Sequence, residues 1–303
     1  MDIALMIEGQ QGLTWPRWQG IAQAVEASGF AGLYRSDHFV ERDGPAVAAL
    51  DTWASLAWLA SHTERIQFGP VVSPLSFRNP VTTAWTAAAI DDLSGGRLRL
   101  GLGAGWQERE HESFGFDLLD LDGRFTRFEE GLEVVTRLLR SDEPVSFSGE
   151  FFTLKDAALL PRPARAGGPP IVIGGNGPRR TLPLAARFAD EWNGVFVSPE
   201  TFAERSARLD DLIRAEGRQP GDVRRTLMTR VVFGEDQASI EAQLAGADRA
   251  DLESRGALIG GANEIRERLA AFAAVGVETI MLQWIDRMDD VAGIEALGRA
   301  VIS

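Results

Sequence analysis

A regular alternation of short apolar runs with amphipathic segments limits the fold of this chain more than any other feature. Eight apolar runs have the length of strands: residues 2–7, 30–35, 65–72, 97–103, 171–173, 191–195, 223–233 and 279–284. The segments between them place apolar side chains on one face at helical spacing, as Trp18, Ile21 and Val25 do. This alternation is typical of β–α units around a parallel sheet. The sequence therefore predicts one (β/α)8 TIM barrel, a single domain over residues 1–303.

Cap and turn residues mark the predicted helix ends. Thr14 with Pro16, and Asn79 with Pro80, are pairs of a cap residue and a first-turn proline. Helices are predicted after residue 14, over 51–62, from 79–80, over 124–140, from 177–178, and over 200–216, 237–254 and 264–275. Two insertions are predicted in the βα loops at the top of the barrel: a long irregular loop at 104–123 and a β-hairpin near 144–155.

Charge and residue usage exclude several function classes. A net charge of −13 argues against binding to nucleic acid, which requires clustered lysine and arginine. The chain contains no cysteine, so thiolate chemistry and thiolate metal sites are excluded. Lys155 is the only lysine and falls in the predicted hairpin, which argues against a Schiff-base enzyme. His38, His62 and His111 are the only histidines and lack metal-binding spacing, so no metal site is expected.

No apolar run approaches the roughly 20 residues that span a bilayer, and the first residues lack the pattern of a secretory signal. We therefore expect a cytoplasmic protein that does not use a membrane.

In parallel barrels the chemistry lies where the strands end and the βα loops meet. Asp37 and His38 directly follow the second predicted strand. A histidine there is either a structural hydrogen-bonding residue or an acid–base group at the mouth of the barrel, and its ordinary titration range suits proton exchange. Asp37 is either its catalytic partner or a cap that orients it. His62, at a predicted helix end, is interpreted as structural.

Two glycine-rich turns follow later strands. Residues 101–106 (Gly-Leu-Gly-Ala-Gly-Trp) are read either as a pocket wall that approaches a flat ring or as a tight turn with a packed tryptophan. They are not a dinucleotide fingerprint, because Trp106 occupies a glycine position of that motif. The same loop contains Glu108, Glu110 and His111. Such a run of charged residues is interpreted by default as a solvated face.

The second turn, residues 174–180 (Gly-Gly-Asn-Gly-Pro-Arg-Arg), has the stronger signal. Its glycines expose backbone N–H groups, and Pro178 is predicted to start a helix with Arg179 and Arg180 in the first turn. Such a set of donors describes a phosphate site, whereas the alternative is a turn with two solvated arginines. At the end of the third strand, Pro70 and Pro74 flank two valines, which predicts a constrained bulge at the rim of the site.

These motifs in this order resemble the luciferase-like monooxygenase superfamily, and in particular its branch that uses the deazaflavin coenzyme F420. The similarity covers nearly the whole chain. It lies in Ser36-Asp37-His38-Phe39, the third-strand bulge, Ser94-Gly95-Gly96-Arg97, Gly103-Ala104-Gly105-Trp106, residues 108–115, Arg124-Phe125, Ile173-Gly174-Gly175-Asn176-Gly177, Asp190-Glu191-Trp192-Asn193 and Glu264-Ile265-Arg266.

The resemblance implies a cofactor site and a catalytic pair. It implies a cis peptide bond at Val71–Val72, forming a bulge behind the cofactor ring, and a phosphate loop at 174–177. It places His38 near the reacting edge, with Asp37 as the second catalytic residue. The cofactor-binding residues that it implies are Val71, Val72, Ser73, Gly103, Ala104, Gly105, Trp106, His111, Gly174, Gly175, Asn176, Gly177 and Arg179.

The function that the resemblance implies is hydride transfer between coenzyme F420 and a small organic substrate, in a homodimer. An FMN-dependent monooxygenase and a non-catalytic flavin-binding barrel are the alternatives. Two positions depart from the family: Trp106 stands where some deazaflavin sugar-phosphate dehydrogenases carry glutamate, and Glu191 replaces a glycine. The first departure argues against a sugar-phosphate substrate.

Overall fold

The eight apolar runs form parallel strands, and helices connect most of them. The computed structural model describes residues 1–285 and 287–302. Its strands are β1 (Asp2–Ile7), β2 (Gly32–Arg35), β3 (Gln67–Pro70), β4 (Ser73–Pro74), β5 (Leu100–Gly103), β6 (Val145–Ser148), β7 (Thr153–Ala157), β8 (Ile171–Gly174), β9 (Glu191–Val195), β10 (Arg224–Phe233), β11 (Leu258–Gly260) and β12 (Thr279–Trp284).

The helices pack around the outside of these strands, and their caps follow the sequence. Asp51 accepts a hydrogen bond from Ala54 N, and Asn79 accepts from Val81 N. The helices are α1 (Trp15–Ala27), α2 (Thr52–His62), α3 (Pro80–Leu93), α4 (Glu108–Phe114), α5 (Leu121–Arg140), α6 (Thr181–Phe188), α7 (Pro199–Ala215), α8 (Gln237–Leu244), α9 (Arg249–Ser254), α10 (Ala262–Ala274) and α11 (Val291–Val301), with a 3-10 turn at Pro220–Asp222.

The strands close into a ring because β3 and β4 are two parts of one barrel strand. The pairing order is β3-β2-β1-β12-β10-β9-β8-β5-β4. The ring is closed between β3 and the segment that leads into β5. There, Phe68 N donates to Arg97 O at 3.2 Å and Arg99 N donates to Phe68 O at 2.8 Å. The third strand therefore bonds to both of its neighbours, and the predicted (β/α)8 TIM barrel is confirmed.

Alternation along the strands divides the side chains between two cores. On β1, Leu5 and Ile7 pack outward against the helices, whereas Ala4 and Met6 point into the barrel. The interior cluster is completed by four residues from other strands: Tyr34, Val71, Met228 and Met281. This cluster fills the barrel below its C-terminal mouth, so the mouth has an apolar floor.

Several predicted elements need correction. The loop at 104–123 is not wholly irregular, because residues 108–114 form α4. The hairpin (β6 and β7) exists, but it follows α5 rather than a strand, so it is not part of a βα loop. The backbone N–H groups of Glu150, Phe151 and Phe152 donate to the carboxylate of Glu130 on α5, which holds the hairpin against the outer helix layer.

The predicted helix at 237–254 is two helices. Ala245 and Gly246 have φ angles of 49° and 82°, which end α8, and the side chain of Asp248 caps α9. Strand β11 was not predicted; it pairs with the end of β10 outside the ring.

Close strand packing beneath the bulge predicts a large effect of one added methyl group. A Cβ atom at Gly101 would lie 2.0 Å from Pro70 O, whereas one at Gly221 would meet nothing within 4 Å. We expect Gly101→Ala to lower the free energy of unfolding by about 1–3 kcal/mol, as overpacking does. Gly221→Ala is the matched control. Urea unfolding of both variants checks this, and equal stabilities would contradict the packing argument.

Candidate active site

A cavity of about 540 Å³ opens at the C-terminal end of the barrel, where the sequence places the chemistry. Seven of the predicted site residues line it: His38, Val71, Val72, Gly105, Trp106, Gly174 and Gly175. The strands that carry them surround the mouth, since they end at the same edge of the ring. The other predicted residues do not line it; Arg179 is exposed elsewhere on the surface.

His38 is held by a carboxylate that the sequence analysis did not identify. Its Nδ1 lies 2.9 Å and 3.1 Å from the two carboxylate oxygens of Glu110, and Phe39 N also donates to Glu110. Glu110 is only 1% exposed. The second ring nitrogen, Nε2, makes no hydrogen bond within the described part of the chain, and the ring packs edge-on to Trp106. His38 therefore presents one free nitrogen at the cavity.

The charge environment favours the protonated imidazole. Burial disfavours the imidazolium, but the hydrogen bond and charge of Glu110 offset it, with smaller contributions from Glu8 and Asp37. The pKa of His38 is therefore raised above its ordinary value. This arrangement suits a group that donates a proton from Nε2.

Asp37 is not at the cavity, which corrects its assignment as a catalytic residue. Its carboxylate accepts hydrogen bonds from Arg78 Nε and Nη2 at 3.0 and 2.7 Å, and from Ser73 Oγ at 2.5 Å. Both Asp37 and Ser73 are buried. The bidentate ion pair ties the end of β2 to β4 and to the start of α3, so Asp37 positions the segment that carries His38.

The bulge in the third strand lies at the cavity wall. The Val71–Val72 peptide bond is cis, as the resemblance implies. A Cβ atom at Gly103 would lie 2.4 Å from Val72 Cγ2, and one at Gly174 would lie 2.9 Å from Val72 Cγ1. Both glycines therefore leave room for the Val72 side chain, and Gly103 itself stays behind the wall.

The turn after β5 divides its residues between the cavity and the interior. Gly105 and Trp106 line the cavity, and Trp106 is 56% exposed. His111 is buried instead, with Nε2 2.8 Å from Ser76 Oγ and Nδ1 2.6 Å from Gln107 O. Neither His111 nor Ala104 is among the residues that line the cavity.

The interpretation of Glu108, Glu110 and His111 as a solvated charged face is wrong for Glu110 and His111, which are buried. Helix α4 turns Gln107, Glu110 and His111 inward and leaves Glu108 exposed. The spacing i, i+3, i+4 of these three residues was the available signal, and the polar residue types concealed it.

The glycine turn after β8 differs from the predicted phosphate site. Helix α6 begins at Thr181, so Arg179 and Arg180 lie in the preceding turn rather than in the helix. Arg180 is paired with Asp122, and Arg179 borders a separate surface depression. Gly174 and Gly175 do line the main cavity, whereas Asn176 and Gly177 do not.

Asn176 fixes this turn to the next strand. Its Nδ2 donates to Val195 O at 2.6 Å, and its Oδ1 accepts from Val195 N at 2.9 Å. Asn193 on β9 is fully buried and lines the cavity; its Nδ2 donates to Thr226 Oγ1, while its Oδ1 has no hydrogen-bond partner within residues 1–285 and 287–302. A ligand with a donor group at this wall would satisfy that oxygen.

A second polar cluster in the cavity lining was also missed. Gln10 Nε2 donates to Glu8 at 3.0 Å, Gln283 Nε2 donates to the other carboxylate oxygen, and Ser36 Oγ donates to Gln10 at 2.7 Å. Glu8 and Gln283 continue the inward alternation of β1 and β12, which pair in register at Met6 and Gln283. That alternation was a usable signal.

The site is thus the C-terminal mouth of a closed parallel barrel, lined by a histidine that is paired with a carboxylate and by a wall of glycines. The chain matches the family model of the luciferase-like monooxygenase over residues 3–252. It belongs to the luciferase-like monooxygenase family, which confirms the resemblance seen in the motifs.

Relatives in this family are oxidoreductases with different cofactors. An F420-dependent glucose-6-phosphate dehydrogenase of Kineococcus radiotolerans is 32% identical over 72% of this chain and 64% of its own length. An F420-dependent hydroxymycolic acid dehydrogenase of Mycobacterium tuberculosis is 31% identical over 73% and 60%. An FMNH2-dependent dimethylsulfone monooxygenase of Pseudomonas putida is 26% identical over 93% and 85%. The chain thus spans less than two thirds of the length of the first two.

A solved structure supports the fold. An F420-dependent secondary alcohol dehydrogenase in complex with an F420-acetone adduct superposes with a TM-score of 0.85 at 21% identity, covering 99% of this chain and 98% of that one.

The Glu110 contact predicts a measurable change in the titration of His38. In Glu110→Gln the opposing charge is lost and burial remains, so the pKa of His38 is expected to fall below its ordinary value. The chain has three histidines, so His38 can be followed by NMR of its imidazole protons and assigned with His38→Asn. Glu108→Gln, which changes an exposed glutamate two residues away, is the control.

The same pair contributes to stability with a defined sign. Because the folded-state pKa is raised, this contribution is complete below the ordinary value of about 6.5 and is lost as the pH rises through the raised pKa. We expect Glu110→Gln to lose this part of the pH dependence of unfolding, and an unchanged dependence would argue against the pair.

Proposed function

We propose that this protein is an oxidoreductase that transfers a hydride between coenzyme F420 and a small organic substrate. The observation that carries the proposal is His38 at the cavity, with a buried carboxylate on Nδ1, a free Nε2 and the valine bulge on the adjacent wall. The names of the F420-dependent relatives support the choice of cofactor.

The residues at the mouth fit a flavin-like group. Val71 and Val72 give an apolar wall, and Gly174 and Gly175 give a wall without side chains. Asn193 lines the same cavity and its buried Oδ1 lacks a donor within the described residues, so we propose that it accepts a hydrogen bond from the cofactor. When bound, the deazaflavin supplies two electrons as a hydride and reacts poorly with oxygen.

The protein's own contribution is a positioned proton. His38 donates the Nε2 proton to the substrate oxygen, so that a carbonyl group that gains a hydride at carbon becomes a hydroxyl group. Glu110 holds the ring through Nδ1 and stabilises the imidazolium before transfer. Because this environment favours the protonated form, we propose that the substrate is reduced. Asp37 and Arg78 fix the backbone next to His38 without touching the reacting atoms.

Two alternatives define the outcomes of the test. Because one relative is FMNH2-dependent, an FMN-dependent monooxygenase is the second candidate function. If it is correct, FMN rather than F420 binds saturably. A flavin-binding barrel without catalysis would bind a cofactor and give no turnover.

The homodimer and the cytoplasmic location stay predictions from the sequence. Within residues 1–285 and 287–302, no helix combines the length and apolar character that a bilayer crossing requires.

Substitution of His38 tests the proposed role. We expect His38→Asn to bind F420 as the wild type does and to lower kcat by about 10²–10⁴-fold, the usual contribution of general acid catalysis. F420 binding is followed by its visible absorbance, and turnover by oxidation of the reduced coenzyme without oxygen. His62→Asn is the matched control, because His62 bonds to Trp58 O on the outside of α2. Saturable binding of FMN but not of F420 would reject the proposal.

A further inference from the structure

We infer that the substrate carries at least two hydrogen-bond donors, as hydroxyl or ammonium groups, and no negative charge beside them. This inference rests on the proposed function, because it concerns the substrate of the same cavity. The observation behind it is that Glu8, Glu41 and Gln283 all line the cavity and carry carboxylate or amide oxygens that keep unused hydrogen-bond acceptor capacity.

Glu8 is a carboxylate held in place without a cation. Its two oxygens accept from the amide groups of Gln10 and Gln283, and no lysine, arginine or histidine among the described residues lies within 4.0 Å. Each carboxylate oxygen can accept more than one hydrogen bond, so both retain capacity toward the cavity. Glu8 is also close enough to raise the pKa of His38. It therefore faces the volume in which a substrate would meet the proton donor.

Two further oxygens of this cluster lack donors. Gln283 Oε1 and Glu41 Oε1 are buried and have no hydrogen-bond partner within the described parts of the chain. The orientation of Gln283 is fixed, because its Nε2 is committed to Glu8. A buried acceptor in a native site is normally satisfied by a ligand or by water, and these oxygens can be satisfied only by donors.

The charges of the cavity lining disfavour an anion. Glu8, Glu41 and Arg42 all line the cavity, but the guanidinium of Arg42 is 76% exposed and lies 3.8 Å from the carboxylate of Asp43. The charge of protonated His38 is matched by Glu110. A carboxylate or phosphate group in this cavity would approach the two like charges of Glu8 and Glu41. It would also leave Gln283 Oε1 and Glu41 Oε1 without donors. A polyhydroxylated or amino-substituted carbonyl compound supplies the donors that these oxygens lack.

A series of three-carbon ketones tests the inference. Dissociation constants of dihydroxyacetone, aminoacetone, acetone and pyruvate are measured on the full chain from the NMR shift of the His38 imidazole, with and without oxidised F420. We expect dihydroxyacetone or aminoacetone to bind at least tenfold more tightly than acetone, and pyruvate to bind most weakly. The better of the first two identifies the donor as hydroxyl or ammonium. Pyruvate or acetone binding as tightly as both would overturn the inference.

Variants assign the effect to the acceptor cluster. Glu8→Gln keeps the shape of the side chain and removes its charge, so we expect the preference for dihydroxyacetone over pyruvate to fall at least tenfold. Glu41→Gln gives a second variant that acts in the same direction if Glu8→Gln does not fold. Glu108→Gln, with the same change of charge on an exposed side chain, is expected to keep the preference.

Binding and turnover experiments distinguish the proposed function from the inference about the substrate. If the protein prefers dihydroxyacetone or aminoacetone but does not turn over F420, the proposed function is rejected and the inference stands. Turnover of F420 with a preference that is unchanged in both Glu8→Gln and Glu41→Gln would reject the inference alone.

Discussion

The pairing of β1 with β12 is the contact on which the rest of the barrel mouth depends. It joins the first and last strands of the ring in parallel, with Met6 opposite Gln283. This register fixes which side chains point inward at the top layer, and it places Gln283 within reach of Glu8. A shift of one strand by one residue would turn its group toward the helices and separate Glu8 from Gln283. The polar end of the cavity is thus a consequence of closure.

The part of the mouth that carries His38 depends on a balance between burial and charge. His38 and Glu110 are both largely removed from water, and each is tolerated because the other is present. The pair joins the end of β2 to the first turn of α4, two segments that are 72 residues apart in sequence. The orientation of His38 and local stability are therefore two effects of one contact, and a substitution at Glu110 is expected to change both.

The sequence was sufficient for the barrel, because hydrophobic periodicity records which faces are buried. It also identified His38 and the valine bulge, since both follow strands directly. It did not identify Glu8, Glu110 or Gln283, because polar residues that are buried through long-range contacts look like surface residues in one dimension. The helix predicted to start at Pro178 begins at Thr181, because a helix start cannot be located to within a few residues from a proline alone.

The double hydrogen bond between the side chain of Asn176 and the backbone of Val195 has a consequence for how the site meets a ligand. An amide that accepts from one peptide N–H and donates to the C=O of the same residue imitates a β-ladder, so the glycine turn behaves as an added rung of the sheet. The wall formed by Gly174 and Gly175 is therefore preorganised. A molecule that binds there does not have to order a flexible loop. Less of the free energy of its contacts is therefore lost to ordering, and more contributes to affinity.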